Sequence, residues 1–277
     1  MTAGRDAGEF DCRCGHIPAL RGLLERHPRF RPVDGATADA VSFVAGGRTR
    51  TVEVGARGEP FGLVELMDNN PLVCADRVYV PDPASTLGLI AFAPLARAGL
   101  LLERPVLHTS CPGEEDELSR SLSRCGYAHG CTCVFLPDSA DVVWAGATVA
   151  ISGHVGLEDL QELFSEAYAR SFFIRPYGPG PGGNPLELGL VEFEPPARSA
   201  NEPAERSMPT SVLRPAAGAR SGGATRPYAQ YHLHAASRGT SSPLEISVAA
   251  DLHGKCGAAQ IVHVMNVMAG FEETLGL

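Results

Sequence analysis

No stretch of this sequence approaches the ~20 consecutive apolar residues that a membrane-spanning helix requires, and its opening decapeptide, MTAGRDAGEF, lacks the apolar core of a signal peptide. The expectation is a cytoplasmic protein with no membrane partner. There is no cluster of Lys and Arg, and the formal charge is -9. A phosphate-backbone binder needs the opposite balance, so nucleic acid is not an expected partner. A disulfide framework of the small secreted kind is missing too: eight cysteines are scattered through 277 residues, and reduced thiols are the expectation. Cys12 and Cys14 precede His16, but a single intervening residue is tighter than the two to four of structural zinc sites. No metal site is expected. Cys131 and Cys133 alternate within CTCVFL, which points both thiols to one face of a strand. No internal repeat is present.

What the chain does contain is enough apolar residue, 44%, to bury a substantial core. PALRGLLERHPRF begins with Pro18, spaces Leu20, Leu23 and Leu24 on one face, and stops at Pro28, which predicts a short helix. A second helix starts at a Ser85 or Thr86 cap and runs toward Gly99, with Pro94 introducing irregularity. CPGEEDELSRSLSRCG predicts a third, with acidic residues in its first turn. GLEDLQELFSEAYAR predicts a fourth, its stripe formed by Leu157, Leu160, Leu163, Phe164, Ala167 and Tyr168. Strand patterns fall at 130–136 and 142–151, and again in FFIRP, LELGLVEF, YAQYHLHA and LEISVAA. Residues 194–227, rich in Pro, Ala, Gly, Ser and Arg without periodicity, read as a loop. The chain closes with an amphipathic helix over 257–269, in which Ala258, Ile261, Val262, Met265 and Met268 form the apolar stripe. Together these elements predict an α+β fold.

The closing stretch, KCGAAQIVHVMNVMAGFEETLGL, resembles the tail of the N-acetyl-gamma-glutamyl-phosphate reductases. Lys255, Gln260, Met265, Asn266, Met268, Glu273, Thr274, Gly276 and Leu277 match that family's pattern. LEDLQELFSEAYARSFFIRP resembles the family's helix and strand after its central sheet, and ASTLGLIAFAPLARAGLL the helix after its nucleophile. LLERHPRF resembles its first Rossmann helix. The matches span 80–177 and 228–277 in the family's order. The resemblance implies a substrate and dimerisation domain of the semialdehyde-dehydrogenase type over 80–277, with a loop insertion at 194–227, preceded by a truncated Rossmann-like remnant over 1–79.

The same correspondence removes the family's chemistry. Its nucleophile lies in an Asn-Pro-Gly-Cys-Tyr-Pro-Thr turn. Here that turn reads VPDPAST, and Pro83 stands in place of the cysteine. Without a thiolate there is no acyl-enzyme. The family's His-Arg-His segment falls on HTSCPGE, so that His108 matches its first histidine and Ser110 replaces the general base. Asp138, in FLPDS, stands where a further histidine is found. The glycine turn that admits a pyrophosphate is reduced to Gly15, and only 79 residues precede the nucleophile turn. No NADP, and no other cofactor, is expected.

The resemblance thus implies a non-redox biosynthetic enzyme, or enzyme subunit, acting on an acidic amino-acid derivative in specialised metabolism. Relatives of the family act on intermediates tethered to an amino-group carrier protein. One reaction open to such a site is ring closure by an amine displacing phosphate or sulfate, as in aziridine formation. The alternatives are a noncatalytic stabilising or regulatory subunit and a metabolite-binding module. Candidate acid-base residues are Asp82, His108, Asp138 and Asp141. Candidate substrate-binding residues are Ser85, Thr86, Ser110, Trp144, His232, His234 and Lys255. The bland readings stand beside these: turn-forming aspartates, a core tryptophan, surface histidines on a strand, a lysine paired with Asp251. A homodimer, or a complex with a second subunit covering the N-terminal remnant, is expected because 79 residues with one helix pair too few strands.

Overall fold

The computed structural model describes residues 9–35, 39–55, 58–67, 69–138, 140–151, 155–178, 186–192, 209–215, 225–235 and 243–277. Two mixed sheets organise the chain. The first contains β1 (Phe10–Cys14), β2 (Phe30–Val33), β3 (Ala40–Ala45), β4 (Arg48–Val54) and β5 (Arg77–Val80), in the order β2-β1-β3-β4-β5. Helix α1 (Leu20–Arg26) links β1 to its parallel neighbour β2, and α2 (Asn69–Cys74) precedes β5. Between β3 and β4 lies a hairpin turned by Gly46 and Gly47, both at positive φ (59° and 77°). Glycine takes two such angles in succession without strain, and they are the backbone of a tight two-residue turn.

That hairpin corrects one expectation. The first 80 residues do not run short of paired strands, because a seven-residue strand is folded back antiparallel where a longer crossover would otherwise be required. The argument that this segment must borrow a second polypeptide for its backbone hydrogen bonds therefore lapses.

The second sheet has six strands in the order β7-β6-β8-β13-β12-β9. These are β6 (Val106–Thr109), β7 (Thr132–Phe135), β8 (Val142–Val149), β9 (Ile174–Pro176), β12 (Ala229–Ala235) and β13 (Leu244–Asp251). Strand alternation sends Val143, Ala145, Ala147 and Val149 into one core with Leu244, Ile246 and Val248, against α3 (Pro83–Arg97), α4 (Glu115–Arg124) and α5 (Leu157–Ala167). The opposite face holds Trp144 and Ala249, covered by the ribbon of β10 (Leu188–Glu192) and β11 (Ser211–Pro215). Part of the segment 194–227 that reads as loop is therefore strand: Val212 and Leu213 carry too little periodicity to reveal it, and their burial comes from the sheet beneath.

Helix α3 is buried at every position from Ala84 to Ala96, as a helix apolar on all sides must be. Pro94 does not break it. A proline there leaves the carbonyl of Ile90 without its usual amide, and the Tyr168 hydroxyl donates to that carbonyl instead, at 2.9 Å. The chain returns to its beginning in α6 (Ala258–Ala269), which packs on α1, α2 and the first sheet. Its periodicity suggests one polar side facing solvent, yet Gln260, His263 and Asn266 are all buried. The final residues fold back over them: Asn266 Nδ2 donates to the carbonyls of Glu273 (3.2 Å) and Leu275 (2.8 Å).

Candidate functional site

The start of α3 is where the resemblance places a nucleophile, and the local chemistry there is that of a helix cap. Asp82 has extended backbone and its carboxylate accepts from the Ser85 amide at 2.6 Å, while Pro83 occupies the first helical position, where a missing N–H costs nothing. The second carboxylate oxygen accepts from Glu114 N at 3.3 Å, and Asp82 N donates to Glu117 Oε1 at 2.8 Å. Burial pushes the Asp82 carboxyl up, against the pull of these amides. Ser85 and Thr86 are fully buried. Thr86 Oγ1 donates to the Pro81 carbonyl at 3.4 Å, and Ser85 Oγ has no partner among the described residues.

The loop before α4 lies directly on this cap. A Cβ added to Gly113 would sit 2.2 Å from that of Ala84, so the approach admits glycine alone. Two thiols flank the turn. Cys256 Sγ lies 3.8 Å from the Pro83 carbonyl, and Cys111 Sγ is 3.2 Å from Thr109 Oγ1. Burial pushes Cys111 up to about 11 and Cys256 well above its ordinary value, so neither supplies a thiolate near neutral pH.

The remaining aspartates and histidines lie across the sheet from α3. His108 pairs with Gly146 in register, and strand alternation turns Leu107 toward the α3 core and His108 to the ribbon side. Its imidazole is buried and its pKa lowered by that burial, against a hydrogen bond to the Gly146 backbone. Ser110 fastens β6 to β8: its hydroxyl accepts from Trp144 N at 2.8 Å, and its amide donates to Trp144 O at 2.9 Å. Asp138 accepts from Trp144 Nε1 at 3.2 Å and from the Arg214 guanidinium, which also lies over the indole at 5.7 Å. Asp141 contributes its carbonyl to Leu252 N at 2.8 Å. His232 and His234 stack with ring centroids 6.3 Å apart, and Tyr177 meets His232 edge-on. Burial, then the neighbouring His234, lowers the His232 pKa. Asp82 and His108 thus lie on opposite sides of the sheet and do not meet in one acid-base pair.

Lys255 belongs elsewhere. It is the chain's single lysine, 1% exposed, and its ammonium meets the Glu65 carboxylate at 2.5 Å rather than Asp251. Asp251 instead accepts from the amides of His253 (2.9 Å) and Gly254 (2.6 Å). Burial favours the protonated Glu65 carboxyl, but the Lys255 ammonium and His263 more than offset this, and its pKa is held below the usual value. Ser171 Oγ donates to Glu65 Oε1 at 3.3 Å, and His263 Nε2 lies 3.0 Å from Oε2 of Glu273, in the tail. Glu65 lines a cavity of about 560 Å³. Nothing in the sequence marks Glu65 as functional, because it sits in a short 3-10 turn, Val64–Leu66, with no motif around it.

The dinucleotide expectation can be tested on the turn between β1 and α1. Gly15 N donates to the Ala40 carbonyl at 3.0 Å, so the amide that would face a pyrophosphate is used by the sheet. Ala19, with left-handed backbone at φ 61°, precedes a helix of only seven residues and caps it with no side chain. These residues do not fit a pyrophosphate cradle. Among the described residues no group of three or more His, Cys, Asp or Glu is placed to hold a metal ion, and no helix is long and apolar enough to cross a membrane.

No protein-family model matches the sequence, and no curated protein matches it. Solved structures match the fold. Aspartate semialdehyde dehydrogenase II from Vibrio cholerae, crystallised with ASA, superposes with a TM-score of 0.53 over 95% of this chain and 99% of that chain, at 10% identity. Another structure of the same Vibrio cholerae enzyme gives 0.50 over 91% and 94%, at 11% identity. The chain therefore has an α+β fold of the semialdehyde-dehydrogenase type. At 10–11% identity the likeness is one of fold.

Proposed function

We propose that the protein is a biosynthetic enzyme, or a subunit of one, that acts on an acidic amino-acid derivative without redox chemistry. The observation that carries this reading is Pro83 at the first turn of α3, with Asp82 turned inward as its cap. A nucleophile turn has become a structural joint on a fold otherwise shared with semialdehyde dehydrogenases. Gly15, committed to Ala40, supports the absence of a nicotinamide cofactor from the reaction. Among reactions on such a substrate, free or tethered to an amino-group carrier protein, ring closure by an amine displacing phosphate or sulfate needs only positioning and a proton acceptor. A homodimer or a hetero-complex is the proposed assembly.

A second reading, a noncatalytic stabilising or regulatory subunit, is favoured by the way Asp82, Ser110 and Asp138 are each engaged in holding backbone or side chains together.

Calorimetry with NADPH, alongside phosphate- or sulfate-release assays on amine-bearing esters of acidic amino acids, tests both. The non-redox reading expects no saturable NADPH binding, and saturable binding overturns it. Release by the purified chain establishes the enzyme. Release only when a co-purifying subunit is present, and retained in Asp82→Ala, Ser110→Ala and Asp138→Asn chains, assigns the noncatalytic role.

A further inference from the structure

The sequence holds two Cys-x-Cys pairs, and the fold treats them differently. Cys12 and Cys14 lie inside β1, a strand held by β2 on one side and β3 on the other. Their thiols donate to backbone carbonyls, Cys12 to that of Phe10 at 3.5 Å and Cys14 to that of Cys12 at 3.7 Å. Burial pushes Cys12 up to about 12. Cys131 and Cys133 lie at the outer edge of the second sheet, where β7 has only β6 beside it. Cys131 comes just before β7 begins, and side chains hold it there in place of a ladder. Its amide donates to Ser119 Oγ at 3.1 Å, and its carbonyl accepts from Arg104 Nη2 at 2.9 Å.

Both thiols of this second pair turn to one core. Cys131 is buried in it, and Cys133 is half-buried against it. The Cys133 thiol donates to the Cys131 sulfur. That bond, with the Ser119 hydroxyl 3.7 Å away, holds the Cys131 thiol below its ordinary value against burial. The same bond and then burial push Cys133 up. Two adjacent sulfurs thus share one proton, the arrangement in which one sulfur attacks an oxidant and the other resolves it. The spacing permits the bond: two residues of extended chain separate the Cα atoms by roughly 6.6 Å, inside the range of about 4.4–6.8 Å that disulfides span. Gly130, at φ 73°, supplies a backbone joint beside Cys131.

We propose that Cys131 and Cys133 form a modification site, a dithiol that a peroxide oxidises to a disulfide while Cys12 and Cys14 stay reduced. Peroxide enters at Cys133, the half-buried member, as the shared proton moves to Cys131. The Cys133 thiolate attacks one peroxide oxygen, the O–O bond breaks, and the departing hydroxide takes a proton and leaves as water. The Cys131 sulfur then displaces the oxygen of the resulting sulfenic acid. An S–S bond forms, and the second oxygen leaves with the remaining proton as water. The two thiols lose two electrons, and the peroxide gains them. A purely structural role accounts for two buried thiols, but not for their bond to each other at a sheet edge.

The test uses the full chain carrying Cys74→Ser, which removes the exposed thiol at the end of α2. The chain is treated with hydrogen peroxide, its free thiols are alkylated, and its peptides are mapped by mass spectrometry, with a parallel sample reduced by dithiothreitol. The peptide holding Cys131 and Cys133 is expected to lose the mass of two hydrogen atoms and escape alkylation, and dithiothreitol to restore it. Cys12 and Cys14 are expected to be alkylated throughout. Cys131→Ala is expected to stop the reaction at a sulfenic acid on Cys133, trapped by dimedone. Should Cys131→Ala fail to fold, Cys133→Ala changes the half-buried member and is expected to abolish the two-hydrogen loss. A 131–133 peptide that stays fully alkylated, or that gains oxygen without forming the disulfide, overturns the site. So does a disulfide between Cys12 and Cys14 formed to the same extent, or a two-hydrogen loss undiminished in Cys133→Ala.

Discussion

His27 and Asn266, 239 residues apart in the chain, meet through a hydrogen bond of 3.1 Å between His27 Nε2 and Asn266 Oδ1. His27 Nε2 also reaches the Leu275 carbonyl at 2.9 Å, while its Nδ1 accepts from the amides of Arg29 and Phe30. The end of α1, the middle of α6 and the last turn of the chain are thereby held at one point. Gly276 makes the closure possible, since a Cβ there would lie 2.1 Å from the His27 ring and its φ is +76°. Asn266→Leu leaves the Glu273 carbonyl without its side-chain donor and the Leu275 carbonyl with His27 alone, and should cost about 1–3 kcal/mol for the one group left unpaired. Urea denaturation measures it, and a loss below about 0.5 kcal/mol would show that the contact contributes little.

Tyr168 and Pro94 form a second testable pair. Tyr168→Phe should destabilise the fold by about 1–3 kcal/mol, because Ile90 O loses its donor and Pro94 has no N–H to replace it. In a Pro94→Ala background the new amide is available, so the same change should cost less. Equal costs in both backgrounds, measured as a double-mutant cycle, would sever the connection between the two residues.

Stability should fall as the solution is acidified from pH 7.5 to 5.5. Burial lowers the pKa of His27, His108 and His232 below the ordinary 6.5. Between those lowered values and 6.5 the unfolded chain binds more protons than the folded one. Stability from these groups is therefore present above 6.5 and lost as pH drops through the folded values. The buried carboxyls of Asp82 and Asp251, whose pKa values are raised, act in the opposite sense, favouring the fold at low pH and losing that contribution as pH rises through their folded values above 3.8. The histidines are the groups whose ordinary value, 6.5, lies inside this pH range, and thermal unfolding monitored through Trp144 should give a lower midpoint at pH 5.5 than at pH 7.5. A flat or rising profile would contradict it.

What the sequence determined by itself is local and periodic. The stripe of Leu160 and Phe164, the all-apolar run of α3 and the alternation through β12 and β13 follow from 3.6- and 2-residue repeats, which single-chain geometry imposes before any packing. The sequence also determined that Pro83 stands at the turn before α3, since a residue's identity needs no coordinates. The Gly46–Gly47 hairpin is absent from the sequence reading, although two consecutive glycines are its signal, and it joins β3 to β4. Only the tertiary structure decided the rest. That His108 faces away from Asp82 depends on the register of β6 against β8, and one residue's slip would reverse it. That Lys255 finds Glu65, 190 residues earlier, instead of nearby Asp251 depends on α6 packing onto the first sheet. Burial is set by what the rest of the chain lays over a residue, and periodicity within one segment carries no record of it.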